Sequence, residues 1–114
     1  MKYPLVFYTD FGVPQGSAGC ARGPVAFIRP EYRDDKGLLA HELEHVKQWW
    51  LTFGLHSFLY LLVPFYRLNS EVEAYKVQLK HSSGNERRFA EFIAERYGLD
   101  ISVAEALALL REYE

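Results

Sequence analysis

Two histidines four residues apart stand at the centre of GLLAHELEHVKQWW, residues 37–50. On a helix that spacing puts His41 and His45 on one face, one turn apart. Two imidazoles so placed can close on a single Zn²⁺ ion. Glu42 sits at the border of the same face, where its carboxylate can take a proton from a metal-activated water and pass it to a leaving amine. The chemistry available to this stretch is metal-assisted hydrolysis.

The helix that must carry these residues is legible around them. Asp34 and Asp35 can cap a helix predicted over about residues 36–52, and their charge suits its N-terminus. Leu39, Leu43, Val46 and Trp50 share an apolar stripe on its wheel, and Ala40, Glu44 and Lys47 share a more exposed one. The histidines occupy a third sector beside Leu38 and Trp49. A helix that only covered a core would need two sectors, so the third calls for a function.

HELEH resembles the H-E-x-x-H signature of zincin metallopeptidases. The resemblance implies that His41 and His45 are zinc ligands and that Glu42 is the general base. A catalytic zinc takes three protein ligands and keeps one position open. The metzincin extension is absent, because residues 48–51 read QWWL and no histidine stands at 51. In gluzincins the third ligand is a glutamate from a later helix, and SEVEAY (70–75) resembles their E-x-x-A segment, with Glu71 and Ala74 in the matching places. Glu71 falls beside Val72, Tyr75 and Leu79, whereas Glu73 falls with Lys76 and Lys80 and can form a capping box with Ser70. Glu71 is therefore the expected ligand and Glu73 its competitor. Tyr75 stands where gluzincins often carry an aspartate that orients a ligand histidine, which leaves that orienting group unassigned.

The resemblance spans about residues 36–80 and points to a minimal, single-domain gluzincin. It also implies that an edge strand, PVAFIRPEY (24–32), receives the substrate backbone as an added strand. HELEHVKQWW followed by SEVEAY is similar, too, to small H-E-L-x-H-V-x-Q proteins of phages and bacteria and to segments of larger toxins. Those proteins suggest chemistry without a target.

The remaining elements read as an α+β plan in one domain over 1–114: short N-terminal strands, the active-site helix, and three further helices. PLVFY (4–8) and PVAFI (24–28) are β-branched and aromatic runs, expected as two strands that can form a hairpin through the glycine-rich loop DFGVPQGSAGCARG. NSEVEAYKVQLKH reads as a second helix from near Ser70. NERRFAEFIAERYG reads as a third, with Asn85 as N-cap and Gly98 after its end, and Ser102 with Glu105 announces the last. LTFGLHSFLYLLVPF (51–65) is the most apolar stretch, but it is broken by Gly54, His56, Ser57 and Pro64 and falls short of a bilayer span. It is expected as a buried connection, with membrane contact as the lesser alternative.

Composition narrows the function further. Aromatic residues at 16% and an apolar share of 49% suit a packed globular core. The net charge of −2 comes from interspersed acids and bases, which argues against a nucleic-acid partner. Cys20 cannot pair internally and the N-terminus carries no secretory pattern, so a cytoplasmic location is expected. Cys20 is read as an idle thiol rather than a further ligand. The expected function is a zinc peptidase acting on a peptide or protein substrate, with His41, His45 and Glu71 holding Zn²⁺ and Glu42 activating water. The alternatives are a zinc-binding regulatory domain without efficient catalysis, and a metal-free helical protein that meets a partner through 51–65. His56, His81, Tyr60, Tyr66 and Tyr75 remain open as oxyanion donors. The oligomeric state is left open.

Overall fold

A computed structural model describes residues 5–112. Three short strands, β1 (Leu5–Tyr8), β2 (Gly19–Arg22) and β3 (Val25–Ile28), form one sheet in the order β1-β3-β2. A single 3-10 turn, Pro30–Tyr32, leads into five helices: α1 (Lys36–Leu51), α2 (His56–Leu62), α3 (Pro64–Leu79), α4 (Glu86–Arg96) and α5 (Val103–Arg111). The α+β plan holds, with one strand and one helix more than the sequence suggested. Pro4, placed in the first strand from sequence, lies outside the described residues.

The strands do not form the expected hairpin. β1 pairs parallel to β3, Leu5 opposite Val25, and β2 fills the other side of β3 in antiparallel register, Gly19 opposite Ile28. GCAR lacks the β-branched and aromatic side chains that mark a strand, and its pairing with β3 makes it one. β3 is thus the central strand, and PVAFIRPEY cannot offer a free edge.

α1 begins as expected: Asp35 caps it by accepting from the Leu38 N–H at 2.9 Å. α3 begins earlier than expected, at Pro64, whose fixed φ suits the first helical position. Ser70 therefore lies inside the helix rather than at its cap, and Glu73 pairs instead with Lys76 at 3.7 Å. α5 carries the expected capping box between Ser102 and Glu105. The 51–65 stretch is not a buried connection. It runs from the last residue of α1 through α2 into the first residues of α3, and much of it faces outward.

α1 lies between the sheet and α3, touching β2 and β3 on one side and α3 on the other. The main core sits beyond, where Val72 and Tyr75 of α3 meet Phe89, Ala90 and Ile93 of α4 and Ala106 and Leu110 of α5. α4 and α5 so brace α3 from behind. On α1 the deepest residues are Gly37, His41, Glu42, His45 and Val46, while Trp50 of the presumed apolar stripe is exposed. The face buried between sheet and α3 is the histidine face.

Candidate metal centre

α1 and α3 run antiparallel and close together. A Cβ on Gly37 would meet Gln78 Cγ at 3.2 Å and the Gln78 carbonyl oxygen at 3.3 Å, so the glycine permits the approach. Gln78 thereby faces His41, and Ser70 and Glu71 face His45 and Gln48. Glu71 is 3% exposed, whereas Glu73 lies outside the group and pairs with Lys76. The structure thus brings the sequence-selected trio together and leaves the competing glutamate outside.

His41 Nε2 and His45 Nε2 each lie 3.4 Å from the same Glu71 oxygen, Oε1. Among the described residues these three form a group whose ligand atoms all lie within 4.8 Å of one another. Glu71 Oε1 is buried and has no hydrogen-bond partner. Its other oxygen accepts from the Tyr60 hydroxyl.

Second partners set the tautomers. Gln48 donates its amide to the Ser70 carbonyl at 3.2 Å, which turns its Oε1 toward His45 Nδ1 at 3.0 Å. Ser70 Oγ donates to that same oxygen at 2.6 Å, so the oxygen is an acceptor and His45 Nδ1 carries the hydrogen. Gln78 Oε1 receives His41 Nδ1–H at 2.9 Å in the same manner. Both Nε2 lone pairs are left facing Glu71 Oε1. Three lone-pair donors converge, and the one hydrogen-bond-free oxygen belongs to the carboxylate.

The two His–Glu spacings suit a tetrahedral metal ion. Ligand atoms of a tetrahedral ion with bonds of about 2.0–2.1 Å lie about 3.3–3.4 Å apart, which is the His–Glu spacing observed here. Electrostatics agree in sign. Burial opposes the charge on Glu71, yet the two histidines hold its carboxyl well below the usual carboxylate range. Burial likewise opposes an imidazolium at His45, but Glu71 outweighs it and lifts the pKa to about 9. Without a metal, the pocket holds its carboxylate by keeping a proton nearby.

Glu42 lines a cleft of about 410 Å³ together with His41, His45 and Glu71. Its carboxyl is pushed up by burial and by Glu71, with the two histidines pulling partly back. A base raised in this way is better matched to taking a proton near neutrality. No protein-family model matches the chain, and no curated protein or solved structure matches it. What the cleft can do is therefore set by its own geometry.

Its walls come from elements that the sequence did not announce. β2 contributes Gly19, Cys20 and Ala21, and α2 contributes His56, Ser57, Tyr60 and Leu61. The Arg29 N–H bonds to the Ala18 carbonyl at 2.9 Å, while the Ile28 carbonyl turns to Thr9 on the β1 side. Antiparallel alternation then directs the main-chain groups of Cys20 and Arg22 at β3 and those of Gly19 and Ala21 outward. The free edge beside the cleft is β2.

His56 Nδ1 bonds to the Tyr66 hydroxyl at 2.7 Å, and its ring lies 5.9 Å from that of His45. His81 is exposed and outside the cleft lining. Tyr75 packs edge-on against His41 and bonds to the Tyr97 hydroxyl, so the orienting role left open at position 75 falls to Gln78. Trp49 packs against Gly23 and Gly54 rather than into the cleft, and Cys20 lines the cleft but is not in the ligand group. Gln48 and Gln78 were missed from sequence. Their one signal was position: three residues after His45, and two turns after Glu71 on the same face.

Proposed function

We propose that this protein is a zinc-dependent peptidase of gluzincin type, with His41, His45 and Glu71 as the metal's protein ligands. The observation that carries the reading is Glu71 Oε1, a buried carboxylate oxygen without a hydrogen bond, 3.4 Å from two imidazole nitrogens. The resemblance of HELEH and SEVEAY to the gluzincin segments supports it independently. Zn²⁺ held there would polarise a carbonyl oxygen and acidify water.

The chain's own groups supply the rest. Glu42 takes the proton of the attacking water and returns it to the leaving amine. Gln48 and Gln78 keep both imidazoles in the tautomer that leaves Nε2 free, and Tyr60 steadies the far oxygen of Glu71. The outward groups of Gly19 and Ala21 pair with an extended substrate backbone, which gives broad sequence tolerance. His56, anchored by Tyr66 in the cleft wall, is positioned to donate a hydrogen bond to the developing oxyanion. Residence in the cytoplasm belongs to the same reading, since the single free Cys20 asks for no oxidising compartment.

The test is a peptide-library digest with zinc-loaded protein and with Glu42→Gln. Cleavage that disappears in the variant, while zinc stays bound, supports the peptidase. Bound zinc with no Glu42-dependent cleavage replaces it with a zinc-binding module.

A further inference from the structure

Residues 48–66, between Lys47 and Arg67, contain no aspartate, glutamate, lysine or arginine. Phe53 is 94% exposed, Phe65 80%, Leu62 74% and Leu61 72%, with Leu51 and Phe58 close behind. α2 is inside out for a helix in water. Two of its three polar side chains turn inward, His56 to Tyr66 and Tyr60 to Glu71, while Phe58, Leu61 and Leu62 are exposed. Phe53 adds backbone strain to exposure, because it holds a left-handed φ of 54° at the turn after α1. That turn is tied down by Phe53 N–H to Trp50 O at 3.1 Å and Gly54 N–H to Trp49 O at 2.8 Å.

We propose that α2, the turn before it and the start of α3 dock this protein onto the surface of a lipid bilayer, with Phe53, Phe58, Leu61, Leu62 and Phe65 entering the headgroup and upper acyl region. Three observations select lipid as the occupant. The polarity of α2 is inverted, which suits a hydrocarbon solvent on its outer side. The side chains stand out as exposed knobs: of Leu51, Phe53, Phe58, Leu61, Leu62 and Phe65, only Leu61 lines the cleft beside the histidines. A protein partner would need matching pockets for each knob, whereas fluid acyl chains accept them without complementarity. Finally, the stretch lacks cations, so the attraction is apolar and needs no anionic lipid. No helix among the described residues is long and apolar enough to cross a membrane, so the mode is lying on the surface.

Docking does not depend on the zinc reading, but it has a consequence for it. Leu61, Ser57, His56 and Tyr60 of α2 also wall the cleft, so a docked molecule holds its cleft mouth beside the lipid. The substrate class that follows is the membrane-proximal segment of another protein.

The experiment is flotation of the full chain with phosphatidylcholine vesicles, at low and high salt, on zinc-loaded and metal-stripped protein. The expected result is salt-insensitive binding in both metal states, weakened about tenfold by each of Phe53→Ser and Phe65→Ser. Leu5→Ser, on the exposed β1 edge of the sheet, should leave binding unchanged. Circular dichroism reports that the variants fold. Overturning results are no flotation of the wild type, flotation only with anionic lipid and abolished by salt, or dimerisation in light scattering that Phe53→Ser removes. Because vesicle binding is read without zinc, failure here leaves the peptidase reading standing, and loss of zinc leaves this one.

Discussion

Glu42 and Glu71 are both buried, yet their neighbours push them in opposite directions. Glu71 meets two imidazoles and stays ionised, while burial dominates at Glu42 and raises it. The proposed ligand and the proposed base need those opposite settings. Glu42→Gln should therefore keep zinc and lower hydrolysis by about 10²–10⁴-fold, read as kcat with metal content measured alongside. The pH dependence follows from His45. Its folded pKa, about 9, exceeds the ordinary 6.5, so in the metal-free protein this proton's stabilisation is complete below about 6.5 and lost as pH rises through 9. Zinc must displace that proton, so its affinity should rise from pH 6 to 9, with proton release seen by calorimetry in buffers of different ionisation enthalpy. Flat affinity across that range would contradict the assignment. Gln78→Leu removes the acceptor for His41 Nδ1–H and should weaken zinc about 10–100-fold in a chelator competition. The trio was legible in the sequence because helical spacing puts His41 beside His45, and because the resemblance of SEVEAY to the gluzincin segment, together with the wheel, singles out Glu71. Gln48, Gln78 and Tyr60 were not, because their roles exist only across the α1–α3 and α2–α3 contacts.

At the scale of elements, periodicity worked where helices are long and bury one face. α1, α4 and α5 were placed well, and Ser102 with Glu105 marked a real capping box. Periodicity failed for β2, whose small residues carry no pattern, and for α2, which is short and turns two of its three polar side chains inward. It misplaced the start of α3 because Ser70 imitates a cap while Pro64 supplies the true start. The wheel of α1 also misled, since its most apolar stripe is not its most buried one. The element whose spacing matters most is the α1–α3 pair. Gly37→Leu places a side chain against the Gln78 backbone, which must shift. Overpacking of about 1–3 kcal/mol outweighs the helix propensity of about 1 kcal/mol that replacing glycine gains. The variant should show a lower denaturation midpoint and weaker zinc together, because Gln78 moves with the helix.

Across the whole molecule, a small sheet, one helix and a braced second helix suffice to bring the three proposed ligands together. α4 and α5 reach none of the ligands directly; they hold α3 in place through Phe89, Ile93 and Leu110. Ile93→Ala should lower stability by about 2–5 kcal/mol in chemical denaturation, while leaving zinc per folded chain unchanged. The same economy leaves the cleft walled by β2 and α2, and α2 is the element that also presents the apolar outer face. The most direct test is zinc content per chain by elemental analysis, on wild type, His41→Ala and Glu71→Gln purified alike. About one zinc in the wild type and loss from both variants is the predicted result. A wild-type chain that binds none, even after reconstitution with the metal, would contradict the account and return HELEH to an ordinary helix face.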